Sequence, residues 1–148
     1  MLNVLFVALG VLLLTGGGEA LIRGSMGAAN RMGISPLLSG LLIVGFGTSA
    51  PELVVSVDAA LSGRPDIAIG NVVGSNIFNV LGILGVSALL QPLPVPERVI
   101  HFDQWIMLGT SLLLLVFLYT GNRLNRLEGA LLLLGYGAYL GLSFSVFR

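Results

Sequence analysis

Gly47-Thr48-Ser49-Ala50-Pro51-Glu52 sits in the middle of a 28-residue apolar stretch, Ile34–Leu61. A second polar island, Gly70-Asn71-Val72-Val73-Gly74-Ser75-Asn76-Ile77-Phe78-Asn79, interrupts the next apolar stretch, Ile67–Leu90. As one straight helix the first stretch would reach about 42 Å at 1.5 Å per residue. That exceeds a hydrocarbon core of about 30 Å. Gly45, Gly47 and Pro51 cluster at its centre, and Pro51 lacks an N–H and clashes with the carbonyl of Gly47. The expectation is a broken helix with a carboxylate beside the break. A charge at the centre of a membrane helix costs about 2.5–3.5 kcal/mol on insertion scales. Glu52 is therefore a candidate functional residue.

The rest of the chain agrees with a bilayer setting. Its 148 residues are 55% hydrophobic and 9% charged, against about 25% charged in soluble domains. Mean hydropathy is +0.99. Three further apolar stretches, Leu2–Ile22, Phe102–Tyr119 and Leu127–Phe147, bring the number to five, each close to the length of about 20 residues that spans a membrane. The fold class read from this pattern is an all-α membrane protein of five transmembrane helices, with helices 2 and 3 interrupted near the midplane. One domain covers 1–148. Connectors are placed at Arg23–Gly33, Ser62–Asp66, Gln91–His101 and Thr120–Arg126. The segment Met1–Leu14 has no basic leader or small-residue cleavage site and reads as a retained first span.

Charge excludes several classes of function. Seven acids balance seven arginines, so nothing points to nucleic acid. Cysteine is absent and histidine occurs once, which argues against zinc, copper and a thiol or histidine hydrolase. With alternating connectors, Arg23, Arg31, Arg98 and Arg148 fall on one side, and Arg64, Arg123 and Arg126 on the other. The positive-inside rule needs a clearer asymmetry than this.

Spacing turns the islands into oxygen-bearing faces. On a helix Thr48 and Glu52 are i,i+4, and Ser49 and Glu52 are i,i+3. Asn71, Ser75 and Asn79 recur every four residues. Hydroxyls, amides and one carboxylate suit hard cations such as Ca²⁺ and Na⁺. Ca²⁺ takes about six to eight oxygens, more than these side chains supply. Carbonyls freed at the break (Gly45 being nearest), water or a second copy must complete the shell. A packing explanation competes: Ser, Thr and Asn also join membrane helices, and Gly70-x-x-x-Gly74 is a common contact motif. Asn71 and Asn76 stay divided between the two readings. Glu19 reads as paired with Arg23, Asp58 as facing water and Asp66 as a helix cap. His101 sits at a membrane edge, and Trp105, Tyr119, Tyr136 and Tyr139 read as interfacial or packing aromatics.

Gly-Thr-Ser-Ala-Pro-Glu at 47–52, with Asp66-Ile-Ala-Ile-Gly-Asn-Val-Val-Gly-Ser-Asn-Ile-Phe-Asn ending at 79, resembles the α-repeat of the cation/Ca²⁺ exchanger superfamily, in particular the prokaryotic sodium/calcium exchangers. The resemblance covers nearly the whole chain. It implies half of an inverted-repeat fold of ten helices, with ion sites on the second and third helix of each half. It also implies alternating access by movement of helices 1 and 2. Carried over by position, Glu52 matches the carboxylate shared by Ca²⁺ and Na⁺, and Thr48 a Ca²⁺ ligand. Ser49 and Ser75 match Na⁺-site hydroxyls, and Asn79 a polar residue at the site's centre. Ca²⁺ and Na⁺ are the implied transported ions, with no organic cofactor.

The family's pattern has two repeats, whereas this chain carries one. Lipid is an expected partner. A second half-unit is another, either a partner half or a second copy in an antiparallel homodimer. Two Glu52 carboxylates would balance one Ca²⁺, and the near-even arginine count suits insertion both ways. The expected function is a secondary antiporter exchanging Ca²⁺ for Na⁺ in a prokaryotic inner membrane, not an enzyme. The alternatives are Ca²⁺/H⁺ exchange, a fragment or structural half without transport, and a small dual-topology multidrug exporter.

Overall fold

Five apolar stretches become six helices, because the second stretch breaks in two. The computed structural model describes residues 2–146. Helix α1 is Leu2–Met32, α2 is Pro36–Thr48, α3 is Ala50–Leu61, α4 is Pro65–Leu90, α5 is Val99–Gly121 and α6 is Arg126–Val146. No strand occurs among the described residues. Helices α1, α4, α5 and α6 are each long and apolar enough to cross a membrane, and the bent pair α2–α3 makes a fifth span if counted as one. The chain is an all-α, multi-pass integral membrane protein. The expected end of the fifth stretch at Phe147, and Arg148 in the charge count, lie outside the described residues.

Local chemistry sets the helix ends. The first connector was expected at Arg23–Gly33, yet α1 continues through Met32. Arg23 pairs back to Glu19 one turn earlier, and Gly33, at φ +66°, is where the chain turns left-handed and stops the helix. Ser35 then accepts the Leu38 N–H at 3.3 Å and Pro36 opens α2. Gly63, at φ +70°, closes the tight turn between α3 and α4, where Arg64 N–H donates to the Ala59 carbonyl at 2.8 Å. Helix α4 starts at Pro65, one residue before the expected cap. Asp66 lies in its first turn, where a negative charge favours the helix dipole. Asn122, at φ +49°, ends α5. Asn125 Oδ1 accepts the N–H groups of Leu127 and Glu128, and Glu128 Oε2 accepts that of Asn125 at 2.8 Å. This reciprocal capping box starts α6.

The expected break in the second stretch falls at Ser49, with a bend of 41° between α2 and α3. Pro51 lies in the first turn of α3, where its missing N–H costs nothing. The third stretch behaves differently. It does not break at Gly70 or Gly74; instead α4 widens into π-helix over Phe78–Leu84 and returns to α-helix at Gly85. Two other π segments, Gly40–Val44 in α2 and Val99–Asp103 in α5, occur in the described chain. Such segments concentrate at functional sites.

The chain forms two compact units. One holds the residues up to Ile77 together with those from Ser143, and the other holds Phe78–Leu142. The buried apolar residues Ala29, Ile34, Leu38, Leu42 and Ala59 all belong to the first unit. There the buried Ser39 hydroxyl donates to the Ser25 carbonyl at 3.3 Å. Within this unit α3 and α4 make the most extensive helix-to-helix contact. In both units most large apolar side chains are exposed. Surfaces of that kind are stable only against lipid or another apolar surface.

Candidate functional site

The break at Ser49 positions the first island. Thr48 ends α2, Ser49 is the hinge at φ −91° and ψ 1°, and Glu52 lies in the first turn of α3. A single helical face over 48–52 was the basis on which these residues were grouped. The bend replaces that face, so Thr48 and Glu52 belong to different helices. The Gly45 carbonyl, expected to be freed, is taken: it accepts the Ser49 N–H at 3.2 Å and the Thr48 hydroxyl at 3.3 Å. Pro51, four residues after Gly47, has no N–H to offer the Gly47 carbonyl.

Glu52 is half-buried, and its Oε2 is fully buried with no hydrogen-bond partner. A buried acceptor left unpaired costs about 1–3 kcal/mol, more when charged. Around the break the hydroxyls satisfy their protons locally. Thr48 Oγ1 donates to the Val44 carbonyl at 2.9 Å, and Ser75 Oγ donates to the Val72 carbonyl at 3.0 Å. A hydroxyl whose proton is turned back to its own helix keeps its lone pairs for a cation. The Ser49 side chain makes no capping bond to α3.

Helix α4 meets α3 in antiparallel register through polar contacts. Asn71 Nδ2 donates to the Glu52 backbone carbonyl at 3.1 Å and to Ser56 Oγ at 3.0 Å. Ser56 Oγ donates in turn to the Ala68 carbonyl at 3.4 Å. Glu52, Thr48, Ser49 and Ser75 belong to the first unit, whereas Asn79 is exposed on the π segment that opens the second. Asn76 Nδ2 donates to the Val72 carbonyl of its own helix at 2.8 Å, a structural use of that amide. At Gly70 and Gly74 an added Cβ would meet nothing within 4 Å, so no side chain fills the space beside these small residues. Among the described residues no three His, Cys, Asp or Glu side chains gather as a metal cluster.

Sequence reading missed Ser56, although its i,i+4 spacing from Glu52 was the available signal. It also missed the α1 side of the break. A cavity of about 350 Å³ lies between Leu13, Leu14, Gly17, Gly18 and Leu21 of α1 and Gly47, Thr48 and Pro51. A Cβ on Gly47 would come 2.5 Å from Leu21 Cδ2, so the end of that side chain would have to shift to admit it.

The second unit holds a different buried polar group. Asp103 is 9% exposed. Arg98 Nε lies 3.1 Å from its Oδ2 and Arg98 Nη2 lies 3.2 Å from its Oδ1. The Tyr139 hydroxyl donates to Oδ1 at 3.1 Å. The Tyr139 ring stacks on Phe102 with centroids 6.3 Å apart, and the Arg98 guanidinium lies 5.9 Å from the Phe102 centroid. Tyr139 thus has a specific partner beyond the packing expected of it. Asp58, by contrast, is exposed and pairs with Arg64 at 3.6 Å.

Comparison with known proteins covers almost every residue. The model of the family described as sodium/calcium exchanger protein matches residues 2–145. CaxA of Alkalimonas amylolytica is 40% identical over 143 residues, covering 95% of this chain and 45% of its own length. The sodium/calcium exchanger MaX1 of Methanosarcina acetivorans is 42% identical over 130 residues, covering 88% of this chain and 37% of its own. The inner membrane protein YrbG of Escherichia coli is 38% identical over 124 residues, with 84% and 38% covered. The chain therefore spans less than half the length of these curated relatives. No solved structure matches it.

Proposed function

Because the chain belongs to the sodium/calcium exchanger family, a family of transporters rather than enzymes, we propose that it forms half of a secondary antiporter exchanging Ca²⁺ for Na⁺. The observation that carries this reading is the buried, unpartnered Glu52 Oε2 at a helix break. A carboxylate oxygen without a donor is stabilised by a cation, and hydroxyls with inward-turned protons are suitable neighbours. In this reading Ca²⁺ and Na⁺ compete for Glu52, with Thr48, Ser49 and Ser75 as further oxygen ligands. One carboxylate leaves a divalent ion undercompensated. A second half-unit, another copy of this chain or a partner half, supplies the remaining charge and oxygens. Movement of α1 and α2 provides alternating access, and the cavity between α1 and the break leaves room for it.

The test is transport in vesicles. Na⁺-loaded proteoliposomes holding the chain are diluted into Na⁺-free medium with radioactive Ca²⁺. Uptake that collapses when a Na⁺ ionophore dissipates the gradient, and that Glu52→Gln removes, is the expected result. Folded protein without Na⁺-dependent uptake would leave a structural half, and uptake driven equally by a proton gradient alone would assign H⁺ as the coupling ion.

A further inference from the structure

We infer that Asn71 is a positioning residue for the Glu52 carboxylate, acting from α4 through the backbone of Glu52 itself. The inference rests on the ion-site reading above. Asn71 spends both N–H groups of its amide on α3, one on the Glu52 carbonyl at 3.1 Å and one on Ser56 Oγ at 3.0 Å. A carbonyl can only accept, so the nitrogen side of the amide must face Glu52. Ser56 directs its own proton to the Ala68 carbonyl at 3.4 Å, which leaves its oxygen free to accept from Asn71. Three hydrogen bonds therefore cross between the two helices with one consistent set of donors and acceptors.

Glu52 needs such a hold. It lies in the first turn of α3, immediately past the break, where helices fray and neighbouring turns give least support. Asn71 grips the same residue whose side chain carries the buried, unpartnered oxygen. A ligand must be held within about 0.5 Å of productive geometry to bind well. Ser56 alone would couple the helices; only the bond to the Glu52 carbonyl fixes the residue that binds the ion.

Two variants separate positioning from simple helix gluing. Asn71→Ala removes both bonds to α3. The exchanged pair Ser56→Asn with Asn71→Ser keeps an amide-to-hydroxyl bond between the helices and withdraws the amide from the Glu52 carbonyl. Ca²⁺ binding is measured by calorimetry on detergent-purified full chain, beside Na⁺-driven uptake and thermal unfolding. For Asn71→Ala the expected result is about a tenfold weaker Ca²⁺ affinity, the equivalent of one lost hydrogen bond of about 1.4 kcal/mol, with maximal uptake per folded molecule within about twofold. The exchanged pair should unfold at the wild-type temperature and still bind Ca²⁺ more weakly. Wild-type affinity in either variant would overturn the inference, as would a weakening that only tracks lost stability. Wild-type protein that binds Ca²⁺ without exchanging it would instead overturn the antiport reading and leave the affinity comparison standing.

Discussion

The two units each bury a carboxylate, and they treat it in opposite ways. Asp103 in the second unit is enclosed by Arg98 and Tyr139, so both its oxygens are engaged. Glu52 in the first unit has a buried oxygen with no donor, although Asn71 and Ser56 stand beside it and bond to its backbone and to each other. Burial alone therefore does not mark a site. The Asp103 carboxylate is held by partners from the fold, whereas the buried Glu52 oxygen has none, and the proposed cation is what would supply one.

The contrast predicts different losses at the two carboxylates. Removing one partner of a buried charge interaction costs about 3–5 kcal/mol. If that partner is a cation, Glu52→Gln should weaken Ca²⁺ binding by about a hundredfold to several thousandfold, with thermal stability unchanged or raised in ion-free buffer. Asp103→Ala should instead lower the unfolding free energy by about 3 kcal/mol, read by thermal or denaturant unfolding in detergent. Its Ca²⁺ affinity per folded molecule should match wild type. Equal effects on binding and stability at both positions would break the comparison.

Smaller changes sharpen it. Gly47→Ala brings a Cβ against the end of Leu21, and relieving such crowding costs about 1–3 kcal/mol. Uptake should slow several-fold, and adding Leu21→Ala should restore it, as measured by initial rates in proteoliposomes. The smallest effect belongs to Tyr139→Phe, which removes one hydrogen bond to Asp103 and should cost about 1 kcal/mol of stability. Calorimetry should find its Ca²⁺ affinity unaltered.

Hydropathy exposed the spans, because about 20 apolar residues have few other stable environments. The break in the second span was also legible, since proline and glycine act locally. The extension of α1 to Met32 was not: Arg23 and its neighbours, Gly24 and Gly27 included, look like a connector, yet no described residue before Gly33 adopts the left-handed turn that ends the helix. The winding of α4 was expected at its glycines and occurs instead at Phe78–Leu84. The Arg98–Asp103 pair was hidden for a related reason. A spacing of five does not share a face on an α-helix, but the π segment Val99–Asp103 carries i,i+5 bonding.

The order of residues by itself determined the membrane class, the number of apolar stretches, the break beside Pro51 and the candidacy of Glu52, because each depends on chemistry within a few residues. Tertiary structure alone decided that Asn71 reaches the Glu52 carbonyl 19 positions earlier, that Tyr139 reaches Asp103 36 positions earlier, and that Leu21 fills the space over Gly47. Those contacts depend on the register in which packed helices meet, and that register is set by many side chains at once.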